Sequence, residues 1–461
     1  MLRDCYDPIN LFDLVPALGI RTDRILMQLD SLLDDDTLFQ AVKADLARRF
    51  PRTLSDGRPS TPVEVILRLL VIKHLYGWSY EQTEQWVSDS LVLRQFCRVY
   101  AQRVPDDTTL LRWANLIQPA TLHQLLDHVV DLARQRKVTR GRKLRVDSTV
   151  VATNIHFPVD STLLGDGVRV LTRAIQRAKQ VLQPAADQAR RIFRNRTRSV
   201  RRVMHRLIAT SRQRGEQAAA RLKQEYEQLI QLTEQVVDQA KQARQSLLEQ
   251  ARRDAQRVRT TLEQFLPRVE QVIRQTRRRV LAGEAVPADE KLVSLFEPET
   301  AIIRKGKLGH AVEFGRVVWL GEVEGGIVTQ YAVLAGNPFD AEQLAPSLDQ
   351  HLAQFSHPPH LVAGDRKVWS RAAERAAQER GVTRVVLPQF GPRSQARRAY
   401  EEQPWFRRGR RWRTGIEGRI SVLKRRHKLD RCRYHGSAGM ERWVGWGVIS
   451  HNLRQIALAA A

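Results

Sequence analysis

Three carboxylates in different local settings could bind metal ions together. Glu417 lies in the basic run RTGIEGRISVLKRRHK, with Arg413 four residues before it and Lys424 seven residues after it. These positions share roughly one face of an α-helix. Asp147 follows apolar residues in a predicted strand, and Asp365 stands at the carboxyl end of another, where ligands gather in open α/β sheets. Carboxylate oxygens suit Mg²⁺ or Mn²⁺, and two such ions can serve the attacking and leaving oxygens of phosphodiester transfer. We therefore predict a site for two metal ions.

Each aspartate also has a simpler interpretation. Asp147 could face solvent at the end of its strand, and Asp365 could cap a helix that begins near Arg366 or Lys367. An aspartate in the middle of an apolar strand, however, is costly to bury unless it is paired or binds metal. The combination of two strand aspartates with a glutamate on a late helix favours the metal site over either simpler interpretation.

The sequence around Glu417 is strongly basic. Residues 391–436 hold 15 Lys and Arg against four Asp and Glu, a net charge of +11, with tryptophans interleaved. Cations suit phosphates and aromatic rings suit stacking on exposed or flipped bases, although core packing is the commoner role for any one tryptophan. The predicted DNA contacts are Arg410, Arg413, Arg419, Lys424, Arg425, Lys428 and Trp412.

Residues 1–138 are predicted to form an all-α N-terminal domain for DNA binding or dimerisation. The apolar run 63–78 is long enough for a buried helix. A second helix follows with Ser79 as its candidate N-cap, and a third is capped near Asp106, Asp107 or Thr108. This order is compatible with a DNA-binding helix-turn-helix and equally with an ordinary helical bundle.

A long helical stretch separates two regions of strand-like sequence. Residues 171–280 hold 26 Lys and Arg against ten Asp and Glu, a net charge of +16. Their apolar residues recur at three- and four-residue steps, which favours an amphipathic helical hairpin or a coiled coil. Gly215 could form a turn, and Pro267 could break or kink a helix. The one-sided charge favours a clamp on the DNA backbone, a dimerising element, or both.

The predicted fold class is α/β. Strand-like runs follow residue 141 and resume after residue 305, where an EGG sequence predicts a hairpin. We predict a catalytic domain with a mixed sheet, formed by residues 139–168 and 296–461. A basic, coiled-coil-like helical insertion over residues 169–295 interrupts it after the first strand, which explains why Asp147 and Asp365 are so far apart in sequence.

The composition indicates a polyanionic partner. The 461 residues carry a formal net charge of +26, and nucleic acid is the most common partner of so basic a chain. The three cysteines lie far apart, which argues against a disulfide framework or a zinc site. Because the sequence has neither a long apolar run nor a signal peptide, we expect a cytoplasmic, nucleoid-associated protein without membrane association.

Four runs of the sequence resemble the DDE transposases of bacterial insertion sequences, whose catalytic domain has an RNase H-like fold. GRPSTPVEVILRLLVIKHLYGWSYEQTEQWV is similar to their helical N-terminal domain. RVDSTVVATNIHFPVDSTLLGDGVRVL resembles their first catalytic strand with the loop after it, and VAGDRKVWS the region of their second aspartate. RTGIEGRISVLKRRHKL resembles their final motif, in which an Arg precedes the Glu by four residues and a Lys follows it by seven. The resemblance implies that Asp147, Asp365 and Glu417 are the catalytic residues and the ligands of two Mg²⁺ or Mn²⁺ ions.

The chain departs from the family pattern at one position. The family carries a Tyr three residues before the Arg, where this chain has Arg410, so the DNA contact of that Tyr is not carried over to this chain. The loop motif HFPVDSTLLGDG also looks like the family, and we know no mechanism for it. His156 could be a metal ligand or a hydrogen-bonded loop residue, Asp160 could be a fourth carboxylate, and His310 could face the site or pack in the core.

The function predicted from these residues is DNA transposition. The enzyme would cut DNA and join strands at the terminal inverted repeats of an insertion sequence, acting as a homodimer that brings element ends and target DNA together. One alternative is an RNase H-like nuclease that cuts and does not join. Another is an architectural, coiled-coil DNA-binding protein without enzymatic activity.

Overall fold

The chain forms two compact units. A computed structural model describes residues 1–13, 23–50, 52–183, 193–248, 250–304 and 312–460. The first unit comprises Met1–Asn154 together with Gly315–Ala461, and the second comprises Ile155–Phe314. The N-terminal helices and the sheet fall within one compact unit. The domain boundaries predicted from the sequence remain predictions.

The first unit begins with a helical region, as predicted. Its described helices are α1 (Arg24–Leu33), α2 (Asp36–Ala47), α3 (Val63–Tyr76), α4 (Tyr80–Asp89), α5 (Leu91–Phe96), α6 (Asp107–Ala114) and α7 (Pro119–Gln135). Helix α3 is buried on nearly all sides and ends at Gly77, whose φ of 68° suits glycine. Helix α4 then begins with a capping box in which Ser79 and Gln82 satisfy each other's backbone groups. Of the three candidate caps of α6, Asp106 is the N-cap, and its side chain accepts a hydrogen bond from the backbone of Thr109.

A mixed sheet forms the centre of the first unit. Its strands are β1 (Lys143–Ala152), β3 (Val312–Val323), β4 (Val328–Val333), β5 (Leu361–Ala363) and β6 (Arg384–Val386), and β2 (Ala301–Arg304) belongs to the second unit. Strand β1 lies between β3, which is antiparallel to it, and β5, which is parallel to it. Strand β4 pairs with β3, and β6 pairs with β5. The predicted hairpin is present, since a short turn over Glu324–Gly326 joins β3 to β4.

Helices cover the sheet and complete the core of the first unit. They are α12 (Leu344–Phe355), α13 (Arg371–Glu379), α14 (Gln395–Glu402), α15 (Pro404–Arg413), α16 (Gly415–Arg426) and α17 (Gly436–Ala460). Helix α17 packs against α3 and α7, and one hydrophobic core runs from the N-terminal helices through the sheet to α17. The predicted α/β class with a helical N-terminal region is confirmed.

The described part of the second unit is mainly helical. Its long helices are α8 (Asp160–Leu182), α9 (Thr197–Ser211), α10 (Glu216–Ser246) and α11 (Arg253–Thr276). Their apolar faces meet in one core that includes Leu171, Leu229 and Leu262. Gly215 lies at the turn before α10 with a φ of 107°, as predicted, whereas α11 continues past Pro267. The sequence between the first strand and the rest of the sheet therefore forms a helical body with its own core.

Candidate active site

Strand β1 holds Asp147 inside the sheet. The residue pairs with Leu320 of β3 and is only 9% exposed, so it does not lie at a solvent-facing strand end. One carboxylate oxygen, Oδ1, accepts a hydrogen bond from the backbone N–H of Ser148 at 2.9 Å. The other, Oδ2, accepts one from Nη2 of Arg413 at 2.8 Å. The buried carboxylate is therefore paired, as the cost of burying a charge requires.

Arg413 connects Asp147 to Glu417. Its Nη1 donates to Oε1 of Glu417 at 3.0 Å, so the four-residue spacing in the sequence corresponds to a direct contact. The run RTGIEGRISVLKRRHK is not one continuous helix, because α15 ends at Arg413 and α16 begins at Gly415. The Glu417 side chain is 63% exposed, which leaves it able to change partners.

Gly415 allows the Glu417 helix to start against the sheet. A Cβ atom at this position would collide with the guanidinium of Arg145 on β1. A larger residue would therefore displace this guanidinium from its contacts with Glu322 and the Trp412 carbonyl or shift the start of α16.

Asp365 lies beside Asp147 at the end of the neighbouring parallel strand. Arg145 of β1 pairs with Ala363 of β5, and each aspartate follows its strand residue by two positions. Oδ1 of Asp365 accepts hydrogen bonds from the backbone of Lys367 at 2.9 Å and of Val368 at 3.2 Å. The carboxylate thus orders the turn after β5. It does not cap a helix near Arg366, because α13 begins only at Arg371, behind its own cap Ser370.

Asp340 is a further carboxylate of this site, and sequence reasoning missed it. It lies in the short turn before α12, and its Oδ2 accepts a hydrogen bond from the Ser148 hydroxyl at 3.1 Å. Burial and the nearby charge of Asp365 raise the pKa of Asp340. The sequence offers no spacing signal for it, because its place depends on how the turn before α12 folds against β1.

The carboxylates of this site repel one another. Burial, together with the charges of Asp365 and Asp340, raises the pKa of Asp147 to about 6 against the lowering effect of Arg413. Three aspartates thus share one region of the sheet, and Arg413 is held by Asp147 and by Glu417. Such a concentration of hard oxygen donors suits a divalent cation.

The described arrangement nevertheless does not close around a metal ion. Among the residues that the structure describes, no group of three or more His, Cys, Asp or Glu side chains could hold one. The guanidinium of Arg413 stands between Asp147 and Glu417, where a ligand set of three carboxylates would need the cation. The chemistry of Asp147 and Asp365 fits a metal, and Glu417 would have to exchange Arg413 for it.

The predicted DNA contacts fall into three groups. Arg410 on α15, Arg425 on α16 and Lys428 just after α16 are exposed, and Lys424 is half-buried. Arg419 and Trp412, by contrast, make internal contacts with the cluster described next. Arg413 forms ion pairs with the carboxylates of Asp147 and Glu417.

A second charge cluster lies two residues away on β1. Glu322 of β3 is fully buried, and both of its oxygens accept hydrogen bonds from Arg145 at 2.7 and 2.8 Å. Nε of Arg419 donates to the same carboxylate at 3.0 Å. Arg145 also lies over the Trp412 ring at 4.8 Å and donates to the Trp412 carbonyl. These contacts fasten α15 and α16 to the sheet.

The loop-motif residues form pairs within the second unit. Nε2 of His156 lies 2.8 Å from Oδ2 of Asp166, and this hydrogen bond raises the pKa of His156. Asp160 pairs with Arg279 at 2.5 Å. His310, which could face the site or pack in the core, lies outside the described residues.

Two regions of the chain match known protein families. Residues 18–116 match the family described as a transposase domain (DUF772), and residues 372–457 match the family described as a transposase DDE domain. The second match includes Glu417 with α15 and α16, whereas Asp147 and Asp365 lie outside both. No match was found among curated proteins or among solved structures. None of the helices formed by the described residues has the length and hydrophobicity that a membrane span requires.

Proposed function

We propose that this chain is a DDE-type insertion-sequence transposase, which its two matches to transposase domains support, and that it cleaves DNA at terminal inverted repeats and joins the freed strand to target DNA. The observation that carries this proposal is the group of aspartates on and beside β1, next to the helices that carry Glu417 and the exposed cations. A surplus of negative charge at one point of a strongly basic chain suits a cation-dependent reaction on a phosphodiester.

We propose that the metal ions bind first to Asp147 and Asp365. Asp147 and Asp365 would hold divalent ions, Mg²⁺ or Mn²⁺, and Glu417 would join them after leaving Arg413. When bound, such ions activate the attacking oxygen and stabilise the leaving one. Asp340 would act through Ser148, whose hydroxyl and backbone N–H orient Asp340 and Asp147 respectively.

Arg413 has a role of its own in this proposal. Its guanidinium neutralises Asp147 and Glu417 in the absence of metal, which keeps the site folded despite its excess of carboxylates. When Glu417 turns to the metal, one nitrogen of Arg413 becomes available for a DNA phosphate beside the reaction centre.

The exposed cations would bind the DNA backbone. Arg410, Arg425 and Lys428 are accessible around α15 and α16, and phosphate contacts of this kind do not depend on base sequence. We further propose that two copies of the chain bring two element ends together. The basic helical unit is a candidate for holding either DNA or the second copy.

Site variants test the enzymatic part of the proposal. Asp147→Asn, Asp365→Asn and Glu417→Gln should each reduce Mg²⁺-dependent cleavage of an element-end duplex to background, while the duplex still binds in a mobility-shift assay. Glu379→Gln, which changes an exposed carboxylate on α13, is the matched control and should cleave normally. Cleavage by the Glu417→Gln protein would contradict the assignment.

A second experiment separates a transposase from a nuclease. Pre-cut element ends carrying a free 3′-hydroxyl are incubated with a supercoiled target plasmid, Mg²⁺ and the full chain. We expect plasmids joined to the element ends. Cleavage of uncut ends without any joined product would instead support the RNase H-like nuclease.

A further inference from the structure

A pocket with aromatic walls lies in the first unit, at the turn between α3 and α4. It has a volume of about 780 Å³, within the range of roughly 300–1,000 Å³ that small-ligand sites occupy. Tyr76, Trp78 and Tyr80 line it from the N-terminal helices, and Tyr434 and Trp443 line it from the C-terminal part of the chain. None of the acidic residues discussed above takes part in it.

A lysine without a polar partner stands in this pocket. Lys73 is 2% exposed, and its Nζ lies 4.6, 5.3 and 5.2 Å from the ring centres of Tyr80, Tyr434 and Trp443. Within the part of the chain that the structure describes, this Nζ has no hydrogen-bond or ion-pair partner. Cation–π attraction to these three rings stabilises the ammonium, and its N–H groups remain available to a ligand.

The charge of the pocket selects the kind of ligand. The described residues that line it include Lys73, Lys428 and Arg433 and no Asp or Glu. The ring faces that would attract a cationic ligand already hold the ammonium of Lys73. A ligand with a negative charge is therefore favoured, and Lys428 and Arg433 are exposed where it would enter.

Stacked rings at and beside the α3–α4 turn suit a flat aromatic group. Tyr76 and Trp78 are stacked with ring centres 4.6 Å apart, and Trp78 is stacked with Trp86 at 6.1 Å. Tyr76 is 40% and Trp86 is 48% exposed. Exposed stacked rings beside cations bind nucleic-acid bases and their phosphates.

The pocket is joined to the helix that carries Glu417. A Cβ at Gly77, in the α3–α4 turn, would collide with the Arg426 carbonyl and the Lys428 side chain. Arg426 is the last residue of α16, and Lys428 follows two positions later. A ligand held in the pocket is therefore tied to the end of the Glu417 helix.

We infer that this pocket binds an unpaired nucleotide of a DNA strand, with its base against the aromatic walls and its phosphate at Lys428 and Arg433. The inference rests on the DNA-binding part of the proposed function and adds a specific preference to it. A fully paired duplex keeps its bases stacked inside the helix and cannot offer one to the pocket. The chain should accordingly distinguish single-stranded from blunt double-stranded DNA through these residues.

Binding measurements with the full chain test this preference. A fluorescent 12-nucleotide dT strand and a blunt 12-base-pair duplex are titrated by anisotropy at one salt concentration. Trp78→Leu should weaken binding of the single strand about tenfold and leave duplex binding within about twofold. Because Trp78 is half-buried, Arg433→Gln serves as an exposed second variant with the same expected direction. Arg103→Gln, an exposed cation outside the pocket, should change neither affinity.

Cross-linking locates the nucleotide. A dT strand carrying one 5-iododeoxyuridine is irradiated with the protein, and the attached peptide is identified by mass spectrometry. Attachment within residues 76–80 or at Tyr434 supports the inference, and attachment elsewhere overturns it. Equal weakening of both DNAs by Trp78→Leu, or no weakening of single-strand binding by either variant, also overturns it. Full competition by dTMP at equal nucleotide concentration would show a site for free nucleotides and overturn the strand as its ligand. None of these readings involves cleavage, so a chain that binds no DNA at all would instead count against the proposed function.

Discussion

Two charge clusters, one at Arg145 and one at Asp147 of β1, differ in the sign of their excess charge. In the first, two arginines, Arg145 and Arg419, surround the single buried carboxylate of Glu322. In the second, Arg413 serves both Asp147 and Glu417, and two more aspartates lie close by. The first cluster has its charges satisfied inside the protein, whereas the second carries surplus carboxylate at an accessible place.

The difference shows how structural and functional ion pairs can be separated. Glu322 is fully buried and has every oxygen occupied, so nothing outside the protein is needed to stabilise it. Burial raises the pKa of Asp147, which disfavours its charged form, and Glu417 is largely exposed. A site that is electrostatically unfavourable when empty gains most from binding a cation. The two clusters should therefore respond in opposite ways to removal of their charges.

Glu322→Gln should have the largest effect on folding. Without the carboxylate, the buried guanidinium of Arg145 loses its partner, and breaking a buried ion pair in this way costs about 3–5 kcal/mol. Chemical denaturation measures the loss, and Glu402→Gln, at an exposed carboxylate, should change stability by no more than about 0.5 kcal/mol. A Glu322→Gln protein as stable as the parent would remove the distinction between the clusters.

Asp147→Asn should have the opposite effect on stability while abolishing cleavage. The pKa of Asp147 rises from 3.8 to about 6 on folding, so folding favours the protonated carboxyl. The stability that the protonated carboxyl contributes is fully present below about pH 4 and is lost as the pH rises through 6. Asn carries no such penalty, and its advantage should grow to the order of 2–3 kcal/mol by pH 8.

Denaturation at pH 4 and pH 8 with a chelator present measures this change. Asp349→Asn is a control of opposite sign, because hydrogen bonds from Arg380 lower the pKa of Asp349. Its stabilising contribution is present above the ordinary carboxyl pKa and is lost as the pH falls. An Asp147→Asn protein that is less stable than the parent at pH 8 would place Asp147 among the structural ion pairs.

Much of the fold and part of the site could be predicted from short stretches of sequence. The cap at Ser79 and the EGG hairpin depend on a few adjacent residues, and both are present. The contact between Arg413 and Glu417 follows from a four-residue spacing. The alternation of strand-like and helical sequence was enough to predict a mixed sheet with a helical segment after its first strand.

The remaining features depend on distant parts of the chain. Arg145 and Glu322 meet across 177 residues, and their pairing requires the register of β1 against β3. Asp340 reaches Ser148 through a turn that follows β4. Arg419 looked like a DNA contact because it stands in a basic run, and only the position of Glu322 shows that its guanidinium already has a partner. Whether these cations also contact DNA stays a prediction.

Gly415→Ala should disturb both clusters at once. The added methyl group would collide with the Arg145 guanidinium, and such overpacking typically costs about 1–3 kcal/mol. Because α16 begins there, Glu417 should also shift, and cleavage should fall. Gly418→Ala is the matched control, since a Cβ at Gly418 meets nothing within 4 Å. In the helix interior this control should stabilise by about 0.5–1 kcal/mol. Equal behaviour of the two variants would show that α16 does not depend on its contact with Arg145.

Arg419 and Arg410 should separate the structural from the DNA-binding cations with the smallest effects. Arg419→Gln removes one charged hydrogen bond to Glu322, and we expect a loss of about 1–2 kcal/mol in unfolding free energy. The DNA affinity of the Arg419→Gln protein should depend on salt in the same way as that of the parent. Arg410 is exposed, so Arg410→Gln should leave stability within about 0.5 kcal/mol and reduce the slope of log affinity against log salt by about 1. If Arg419→Gln lowered that slope as well, its guanidinium would bind phosphate in addition to Glu322, and the Glu322 cluster would extend to the DNA surface.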